Sequence, residues 1–190
     1  KSAFRYQPEG YIFANSAHSA FPVSDESVYT GLAYLNSEIV YEFIKALSPT
    51  VHFDVGYFSK LPYIEPQAVD RRVRRLVEIS RDDWDAHEGS FDFQSLPILS
   101  KASGTNLIQS DLGAEFEASM ALTHEARELE IEINQLFAEL YSVELGSASD
   151  IPLNEITLRR NPYFRFDDFG VEDSSKVASE SVKEIISFSV

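Results

Sequence analysis

The chain has 190 residues, which suits one compact domain or two small ones, and its hydrophobic fraction of 44% is typical of a folded protein. It contains no cysteine, which excludes disulfide bonds and thiolate zinc sites. No apolar run approaches the roughly 18 residues that a membrane span requires, and no secretory leader pattern opens the chain. We therefore expect a cytoplasmic protein without membrane contact.

The net charge of −15 is unevenly distributed. Residues 1–75 hold eight basic and eight acidic residues, whereas residues 76–190 hold eight basic and 23 acidic ones. Phosphate groups are bound mainly by lysine and arginine. Any contact with DNA is therefore expected in the first 75 residues, and the acidic remainder is expected to face protein.

Short strands are predicted at two places near the start of the chain. Residues 4–13 are aromatic and interrupted by proline and glycine, a pattern typical of strands and turns. Residues 50–55 alternate and are rich in β-branched and aromatic side chains, which predicts a strand. The proline within residues 60–63 indicates a sheet edge or a turn, because proline cannot donate to a ladder.

Helices are predicted where apolar residues recur every three or four positions. The first begins at Ser24 or Asp25 and runs to about residue 47, and a second covers about residues 66–79. A short third helix is expected to begin near Ser80 and to carry Trp84. Residues 89–112 are mostly turn-like, and a last weak helix covers about residues 175–188.

The clearest pattern is a heptad seam on a long helix predicted over about residues 114–143. Its members alternate spacings of three and four, and they are Leu122, Ala126, Leu129, Ile133, Leu136, Leu140 and Val143. Ile131 and Phe137 lie off the seam and favour burial in the core of a helical bundle. A dimerising coiled coil is the alternative.

We predict no catalytic, cofactor-binding or metal-binding residue in the chain. The eight glycines are too far apart to form a P-loop, a dinucleotide-binding loop or the usual turn that holds S-adenosylmethionine. The four histidines lack metal-ligand spacing. No serine has the flanking glycines of a nucleophile elbow.

Two local motifs have competing interpretations. Four carboxylates could supply oxygen ligands to a cation, but their expected place at a helix start favours pairing with the helix dipole; they are Asp82, Asp83, Asp85 and Glu88. The segment 161–164, Asn-Pro-Tyr-Phe, is similar to the Asn-Pro-Pro-Tyr motif of adenine methyltransferases, which holds a flipped base. It lacks the second proline and the preceding cofactor-binding strand, and the neighbouring arginines favour a surface loop.

Several stretches, taken in order, resemble one family. They are Leu35-Asn36-Ser37, Pro49-Thr50, Phe53 with Val55-Gly56, Leu61-Pro62, Ile79-Ser80, Asp83-Trp84-Asp85, Glu88, Ser90, Asp92-Phe93, Glu132-Ile133-Asn134, Phe137, Glu139-Leu140-Tyr141, residues 154–158 and residues 184–188. Their order resembles the end of the target-recognition region and the following segment of PglX methyltransferases from BREX phage-resistance systems. Phe91 stands where that family tends to have tryptophan, and His52 and Asp54 also depart from its pattern.

The resemblance implies a parent enzyme that transfers a methyl group from S-adenosylmethionine to the N6 of adenine in double-stranded DNA. Its partners would include DNA and other phage-defence proteins. The catalytic domain and the S-adenosylmethionine pocket would lie upstream, so this chain alone would bind no cofactor and be inactive.

The resemblance also implies an organisation for the chain. Residues 1–65 would end a DNA target-recognition domain, residues 66–112 would form a helical connector with the Asp-Trp-Asp segment, and residues 113–190 an acidic helical C-terminal region. The expected fold class is α+β: a small strand-and-helix remnant, then a mainly α-helical region with one long heptad-patterned helix.

The candidate DNA-binding residues are four arginines on the second predicted helix and one lysine, namely Arg71, Arg72, Arg74, Arg75 and Lys60. Such a basic surface would contact phosphates and position the duplex without reading bases. The alternative for the arginines is a solvated helix whose charge is balanced by nearby acidic residues. For the whole chain the alternative is an acidic helical protein-interaction module, a scaffold or DNA mimic, with no DNA contact.

Overall fold

A computed structural model describes residues 3–13, 19–47, 55–67, 69–101, 108–144, 150–166, 169–170 and 174–189. Over these ranges the chain forms helices connected by turns and loops. The helices are α1 (Asp25–Asn36), α2 (Glu38–Leu47), α3 (Val55–Phe58), α4 (Asp70–Asp85), α5 (Pro97–Lys101), α6 (Ile108–Tyr141), a 3-10 turn (Leu153–Glu155), α7 (Pro162–Arg165) and α8 (Ser174–Phe188). None of the helices in these ranges is long and apolar enough to cross a lipid bilayer.

The α+β prediction is wrong in its strand component, because no strand occurs among the described residues. Residues 4–13 are a loop with a turn at Gly10, whose φ of 93° suits glycine. The backbone of Phe4 is paired with a side chain rather than with a strand: its N–H donates to Asn36 Oδ1 (3.0 Å), and its carbonyl accepts from Asn36 Nδ2 (3.1 Å). Of the predicted strand 50–55, only Val55 lies in the described residues, and it begins α3.

The first predicted helix is present as two helices. Ser24 caps α1 as predicted, in a reciprocal capping box with Ser27. The helix ends before Ser37, which is extended and donates from its hydroxyl to the Tyr34 carbonyl (2.6 Å). The next N–H, that of Glu38, donates to the buried side chain of Asn134 (2.9 Å), so α2 starts with a partner from α6.

The second and third predicted helices are one continuous helix, α4. It begins four residues later than expected and continues through Ser80 to Asp85. The predicted helix start near Ser80 is therefore wrong, and the carboxylates of residues 82–85 lie at the carbonyl end of α4. The long helix and the last helix agree with the sequence prediction, and α6 begins about six residues earlier than expected.

The chain divides into two compact units. Unit 1 comprises Lys1–Val77 and Leu129–Asp150, and unit 2 comprises Glu78–Glu128 and Ile151–Val190. Helices α4 and α6 contribute residues to both units. The predicted functional boundaries at residues 65 and 112 remain predictions.

The core of unit 1 is apolar and aromatic. Its buried members are Ala33, Tyr34, Ile39, Val40, Ile44, Val69, Val73, Ile133, Phe137 and Ala138. Phe137 is fully buried although it lies off the heptad seam, and Val143, at the end of the seam, is half exposed. This pattern favours a core helix over the narrower seam of a coiled coil.

Two tyrosine hydroxyls hold the segment after α3 against this core. Tyr34 donates to the Pro62 carbonyl (2.5 Å), and Tyr141 donates to the same oxygen. The Ile64 N–H in turn donates to the Tyr141 hydroxyl (3.1 Å). Burial, reinforced by the neighbouring Tyr141 hydroxyl, raises the pKa of Tyr34 well above its ordinary value.

Unit 2 buries polar groups together with apolar ones. Ile79 and Ile156 are fully buried, and so are the side chains of Thr123 and Asn161. Asp83 is also buried, with 5% of its surface exposed. Each of these polar groups needs internal hydrogen-bond partners, because an unsatisfied buried polar group costs about 1–3 kcal/mol.

Candidate nucleic-acid interface and a buried carboxylate network

The four predicted DNA-binding arginines all lie in the first half of α4, within unit 1. A helix turns by about 100° per residue, so Arg71 and Arg75 share one face. Arg71 is exposed, whereas Arg72, Arg74 and Arg75 are partly buried. The four side chains therefore differ in how accessible they are to a phosphate.

Arg74 is fixed by contacts within unit 1. Its Nε donates to Asp70 Oδ2 at 2.6 Å, one helical turn earlier. Its guanidinium carbon lies 3.9 Å from the centre of the Tyr29 ring, and Tyr29 stacks in turn on Tyr6 at 6.0 Å. Arginine stacks well on aromatic faces because its guanidinium is planar and weakly hydrated. Arg74 is thus a packing residue.

Arg72 also has an internal carboxylate partner. Its Nε donates to Glu132 Oε2 on α6 at 2.5 Å. A phosphate at this position would have to compete with Glu132. Of the four arginines, Arg71 is therefore the one that the structure presents most openly to solvent.

Lys60 lies in the turn that follows α3 and is exposed. Its ammonium is 5.7 Å from the centre of the Tyr57 ring, a distance at the outer limit of a cation–π contact. The long side chain is consequently held only weakly. Lys60 can present its charge to a ligand at little cost.

Unit 2 contains a buried ionic network centred on Asp83. Asp83 Oδ2 accepts the backbone N–H of Arg159 at 2.6 Å, and Oδ1 accepts the backbone N–H of Arg160 at 3.0 Å. The guanidinium of Arg160 adds a third contact to Oδ1, at 3.3 Å. A negative charge in the last turn of α4 is disfavoured by the helix dipole, so these donors compensate a residue in an unfavourable place.

Arg160 links Asp83 to α6. Its Nη1 donates to Glu115 Oε1 at 2.8 Å, and the Glu115 side chain is 13% exposed. The guanidinium thus lies between two largely buried carboxylates. Breaking such a buried pair is strongly destabilising, because it leaves an uncompensated charge in the interior.

The cation-site interpretation of the four carboxylates is not supported. The dipole interpretation is wrong, because three of them lie in the last turn of α4 and Glu88 follows its end. Asp83 is directed at Arg159 and Arg160, and Asp85 accepts from the Ser90 hydroxyl at 2.6 Å. Among the described residues, no group of three or more histidines or carboxylates is arranged to hold a metal ion.

Arg159 contributes to a second contact at the surface of unit 2. Its Nη2 lies 2.7 Å from His87 Nε2. The rings of His87 and Trp84 stack at 6.4 Å, and the Arg159 guanidinium lies 5.6 Å from the Trp84 ring. Trp84 remains about half exposed.

The Asn-Pro-Tyr-Phe segment is buried at its first two residues and is not the surface loop that the sequence suggested. The Asn161 amide nitrogen donates to the carbonyls of Leu153 and Ile156, both at 2.7 Å. Its oxygen accepts from the Tyr163 N–H at 3.1 Å and so caps α7. Because Asn161 directs these contacts inward, it stabilises the fold and is not placed to bind a base.

A cavity of about 450 Å³ lies in unit 2 beside the Asp83 network. Its apolar lining includes Leu96, Ile98 and Phe116. Two of its arginines are already paired with carboxylates: Arg160 as described above, and Arg165 with Glu184 at 2.9 Å. These pairs favour a role in stabilising unit 2 over anion binding.

No protein-family model matches the chain. Over 192 residues, 99% of the chain, it is 23% identical to the adenine-specific methyltransferase BrxX of Escherichia coli O9:H4 (strain HS). Over 167 residues, 82% of the chain, it is 27% identical to the adenine-specific methyltransferase PglX of Lacticaseibacillus casei (strain Zhang). The chain is similar to a region of PglX-type methyltransferases. This similarity confirms the resemblance inferred from the sequence, and the chain spans 16% and 13% of the length of these two relatives.

The Asp83 network is not apparent from the sequence. The Asp-Trp-Asp segment at residues 83–85 and the basic residues before Asn161 are separate local patterns there. The sequence neighbours of Asp83 are Asp82 and Trp84, which give no sign that its side chain is buried. Its partners lie more than 70 residues away, where local patterns give no information.

Proposed function

We propose that the chain is a non-catalytic, DNA-contacting region of an adenine-specific DNA methyltransferase that acts in phage defence. The observation that carries this proposal is the similarity to two methyltransferases, BrxX and PglX, over 99% and 82% of the chain. In this proposal residues 1–65 form the end of the target-recognition domain. Residues 66–112 are a helical connector between this domain and the acidic C-terminal region, which comprises residues 113–190. The parent enzyme would act on double-stranded DNA in the cytoplasm.

S-adenosylmethionine would supply the methyl group from a pocket elsewhere in such an enzyme. The described residues do not fit this cofactor, since they contain no strand followed by a glycine-rich turn, and Gly10 is the one glycine among them with positive φ. No step of methyl transfer is therefore assigned to this chain. Its role would be to bind and position DNA.

Within this proposal Arg71 is the principal phosphate contact, with Arg75 and Lys60 in support. Arg71 is exposed, whereas Arg72 and Arg74 have carboxylate partners at 2.5 and 2.6 Å. Residues 1–75 are electrically balanced, so a phosphate can approach them with less repulsion than the acidic remainder of the chain would cause. Contacts of this kind position a duplex and carry no sequence information.

Arg71→Ala tests the DNA contact, with Arg81→Ala as its matched control. Both arginines are exposed on α4, but Arg81 lies within the acidic part of the chain. We expect Arg71→Ala to weaken duplex binding roughly fivefold, equivalent to about 1 kcal/mol. It should also lower the salt slope by about one, as measured by fluorescence anisotropy between 50 and 200 mM salt. Equal effects of the two substitutions, or no binding by the unsubstituted chain at 50 mM salt, would contradict this contact.

The parent activity is tested separately in cells. The natural gene that encodes these residues is expressed in a host without adenine methylation, and the host DNA is sequenced by a method that detects N6-methyladenine. We expect the modified base at one fixed sequence motif. A host genome without N6-methyladenine, despite expression of the protein, would refute the methyltransferase assignment. The acidic protein-interaction module is less favoured, because it does not account for the similarity to two methyltransferases.

A further inference from the structure

Three side chains form a cluster at the surface of unit 2, outside the buried Asp83 network. They are Trp84 in the last turn of α4, His87 just after that helix, and Arg159 in the loop before α7. The rings of Trp84 and His87 stack at 6.4 Å, with the Arg159 guanidinium 5.6 Å from the centre of the Trp84 ring. Trp84 is 48% exposed, so about half of its surface remains open. We call these three residues the Trp84 cluster.

The buried network fixes the backbone of Arg159 and leaves its side chain at the surface. Asp83, the residue before Trp84, accepts the Arg159 backbone N–H at 2.6 Å. Within the described part of the chain the guanidinium contacts Trp84 and His87, and no carboxylate lies within ion-pair distance of it. Unit 2 holds 18 acidic and eight basic residues, so an arginine there that pairs with no carboxylate keeps its charge available to an external anion.

His87 faces N–H donors at both of its ring nitrogens. The Gly89 N–H donates to Nδ1 at 2.9 Å, and Arg159 Nη2 lies 2.7 Å from Nε2. A neutral imidazole has one acceptor nitrogen, and a guanidinium has none. Because Nδ1 accepts from the backbone, the ring proton lies on Nε2. An N–H of His87 therefore faces an N–H of Arg159, and this pair lacks an acceptor.

A phosphate oxygen supplies the acceptor that this pair lacks. Arg159 is exposed, so its guanidinium can move to admit an oxygen that accepts from both N–H groups. Hydrogen bonds from a guanidinium to a phosphate are charge-assisted and therefore strong. The open part of the Trp84 ring lies beside this position, and bases stack on exposed aromatic rings. In a duplex each base is covered by its neighbours, so the ligand that offers both groups is an unpaired nucleotide.

The carboxylates nearest to the Trp84 cluster in sequence each have a partner in unit 2. Asp83 is buried in its network, and Asp82 lies 4.0 Å from Arg81. Asp85 and Glu88 accept serine hydroxyls at 2.6 and 3.3 Å. Repulsion from more distant charges is screened beyond about 8 Å at physiological salt. The acidic character of unit 2 therefore does not prevent a local phosphate contact.

We propose that the Trp84 cluster binds an unpaired nucleotide of single-stranded DNA. Trp84 stacks on the base, and Arg159 and His87 donate to the adjacent phosphate. The proposal rests on the proposed function for the choice of DNA as ligand. It adds a contact in unit 2 to the one at Arg71 in unit 1, and it revises the expectation that the acidic residues 76–190 face only protein.

Trp84 is the only tryptophan of the chain, so its fluorescence reports directly on base stacking. The full chain is titrated with a single strand of about 12 thymidines at about 150 mM salt. We expect saturable quenching with a dissociation constant of roughly 100 µM. An abasic strand of the same length offers the phosphates without the bases. As a competitor it should bind at least about tenfold more weakly, because stacking is lost.

Arg159→Gln removes the guanidinium and keeps the backbone N–H that Asp83 accepts, so the buried network is preserved. We expect it to weaken binding of the thymidine strand about fivefold or more. The matched control is Arg81→Gln, at another exposed arginine of unit 2, which should change binding less than about twofold. His87→Phe keeps a ring beside Trp84 but removes the Nε2–H donor, and it should weaken binding about threefold.

The Trp84 cluster would be refuted by an absence of quenching up to roughly 1 mM strand, where even millimolar affinity is detected. Equal effects of Arg159→Gln and Arg81→Gln, or an abasic strand that competes as well as the thymidine strand, would also refute it. Arg71→Ala should leave the quenching unchanged. Duplex binding through Arg71 without quenching would refute the cluster alone. Quenching in a protein that does not methylate host DNA would support the cluster and refute only the methyltransferase assignment.

Discussion

The two units of the chain are stabilised in different ways. Unit 1 has an apolar core into which α6 inserts Phe137, and the buried polar residues of this unit, Thr30, Ser37 and Asn134, are uncharged. Unit 2 instead buries Asp83 and Asn161 and satisfies both with internal donors and acceptors. Apolar packing tolerates small adjustments, whereas a buried polar network depends on every member having its partner.

The charges of the two units explain part of this difference. Unit 1 holds eight basic and 13 acidic residues, and unit 2 holds eight and 18. Two of the carboxylates in unit 2, Asp83 and Glu115, have side chains only 7% and 13% exposed, and a buried charge needs a partner. Arg160 is the partner of both. Removing a single buried charge should therefore destabilise unit 2 more than removing any single polar contact destabilises unit 1.

Replacing Asp83 should have the largest effect. Asp83→Ala leaves the backbone N–H groups of Arg159 and Arg160 without their acceptor and leaves the Arg160 guanidinium without one of its two carboxylates. We expect a loss of about 3–5 kcal/mol in the free energy of unfolding, the range for breaking a buried ion pair. Urea denaturation followed by circular dichroism measures it.

The control for this prediction is Asp82→Ala, which removes the neighbouring carboxylate, whose side chain is 65% exposed. A surface change of this kind should stay within about 0.5 kcal/mol. If Asp83→Ala cost less than about 1 kcal/mol, the network would not stabilise unit 2, and the contrast between the two units would be lost.

Much of the helical structure could be predicted from the sequence, because apolar residues at spacings of three and four define a buried face. This reasoning located α6 and α8 and the Ser24 cap. It failed for residues 4–13, where alternating aromatic residues suggested strands. Strands need neighbouring backbone partners, and at Phe4 the Asn36 side chain takes that role. It also failed at Ser80, where a local capping pattern was overridden by the continuing helix.

The sites could be predicted only in part. The sequence placed the four arginines on one helix, but not their different surroundings. Those surroundings depend on Tyr29, some 45 residues away from Arg74, and on Glu132, 60 residues away from Arg72. The Asp83 network joins residues 76 and 77 positions apart. Local patterns carry no information about such distant partners.

In unit 1 the hydroxyl of the buried Tyr34 should make stability depend on alkaline pH. Burial raises the pKa of Tyr34 in the folded state above its ordinary value of about 10. The unfolded state therefore loses this proton first as pH rises, so the stabilisation is complete below pH 10 and is lost above it. Tyr34→Phe should cost about 1 kcal/mol at pH 7 and flatten the decline in stability above pH 10.

Urea unfolding at pH 7, 9 and 10.5 measures both parts of this prediction. Tyr6→Phe removes the hydroxyl of a more exposed tyrosine and should leave stability at pH 7 unchanged. If Tyr34→Phe declined above pH 10 as steeply as the unsubstituted chain, the Tyr34 hydroxyl would not be the group responsible. The stability of unit 1 would then depend even more on apolar packing.

The smallest expected effect concerns Arg74. Arg74→Lys keeps the positive charge beside Asp70 but loses the flat contact with the Tyr29 ring, so we expect a loss of about 0.5–1 kcal/mol in the free energy of unfolding. The control is Arg71→Lys, at an exposed position of the same helix. It should change the free energy of unfolding by less than the error of the measurement. If both were neutral, Arg74 would not be held by Tyr29. Its contact with Asp70 would then be the interaction that stabilises unit 1 at this position.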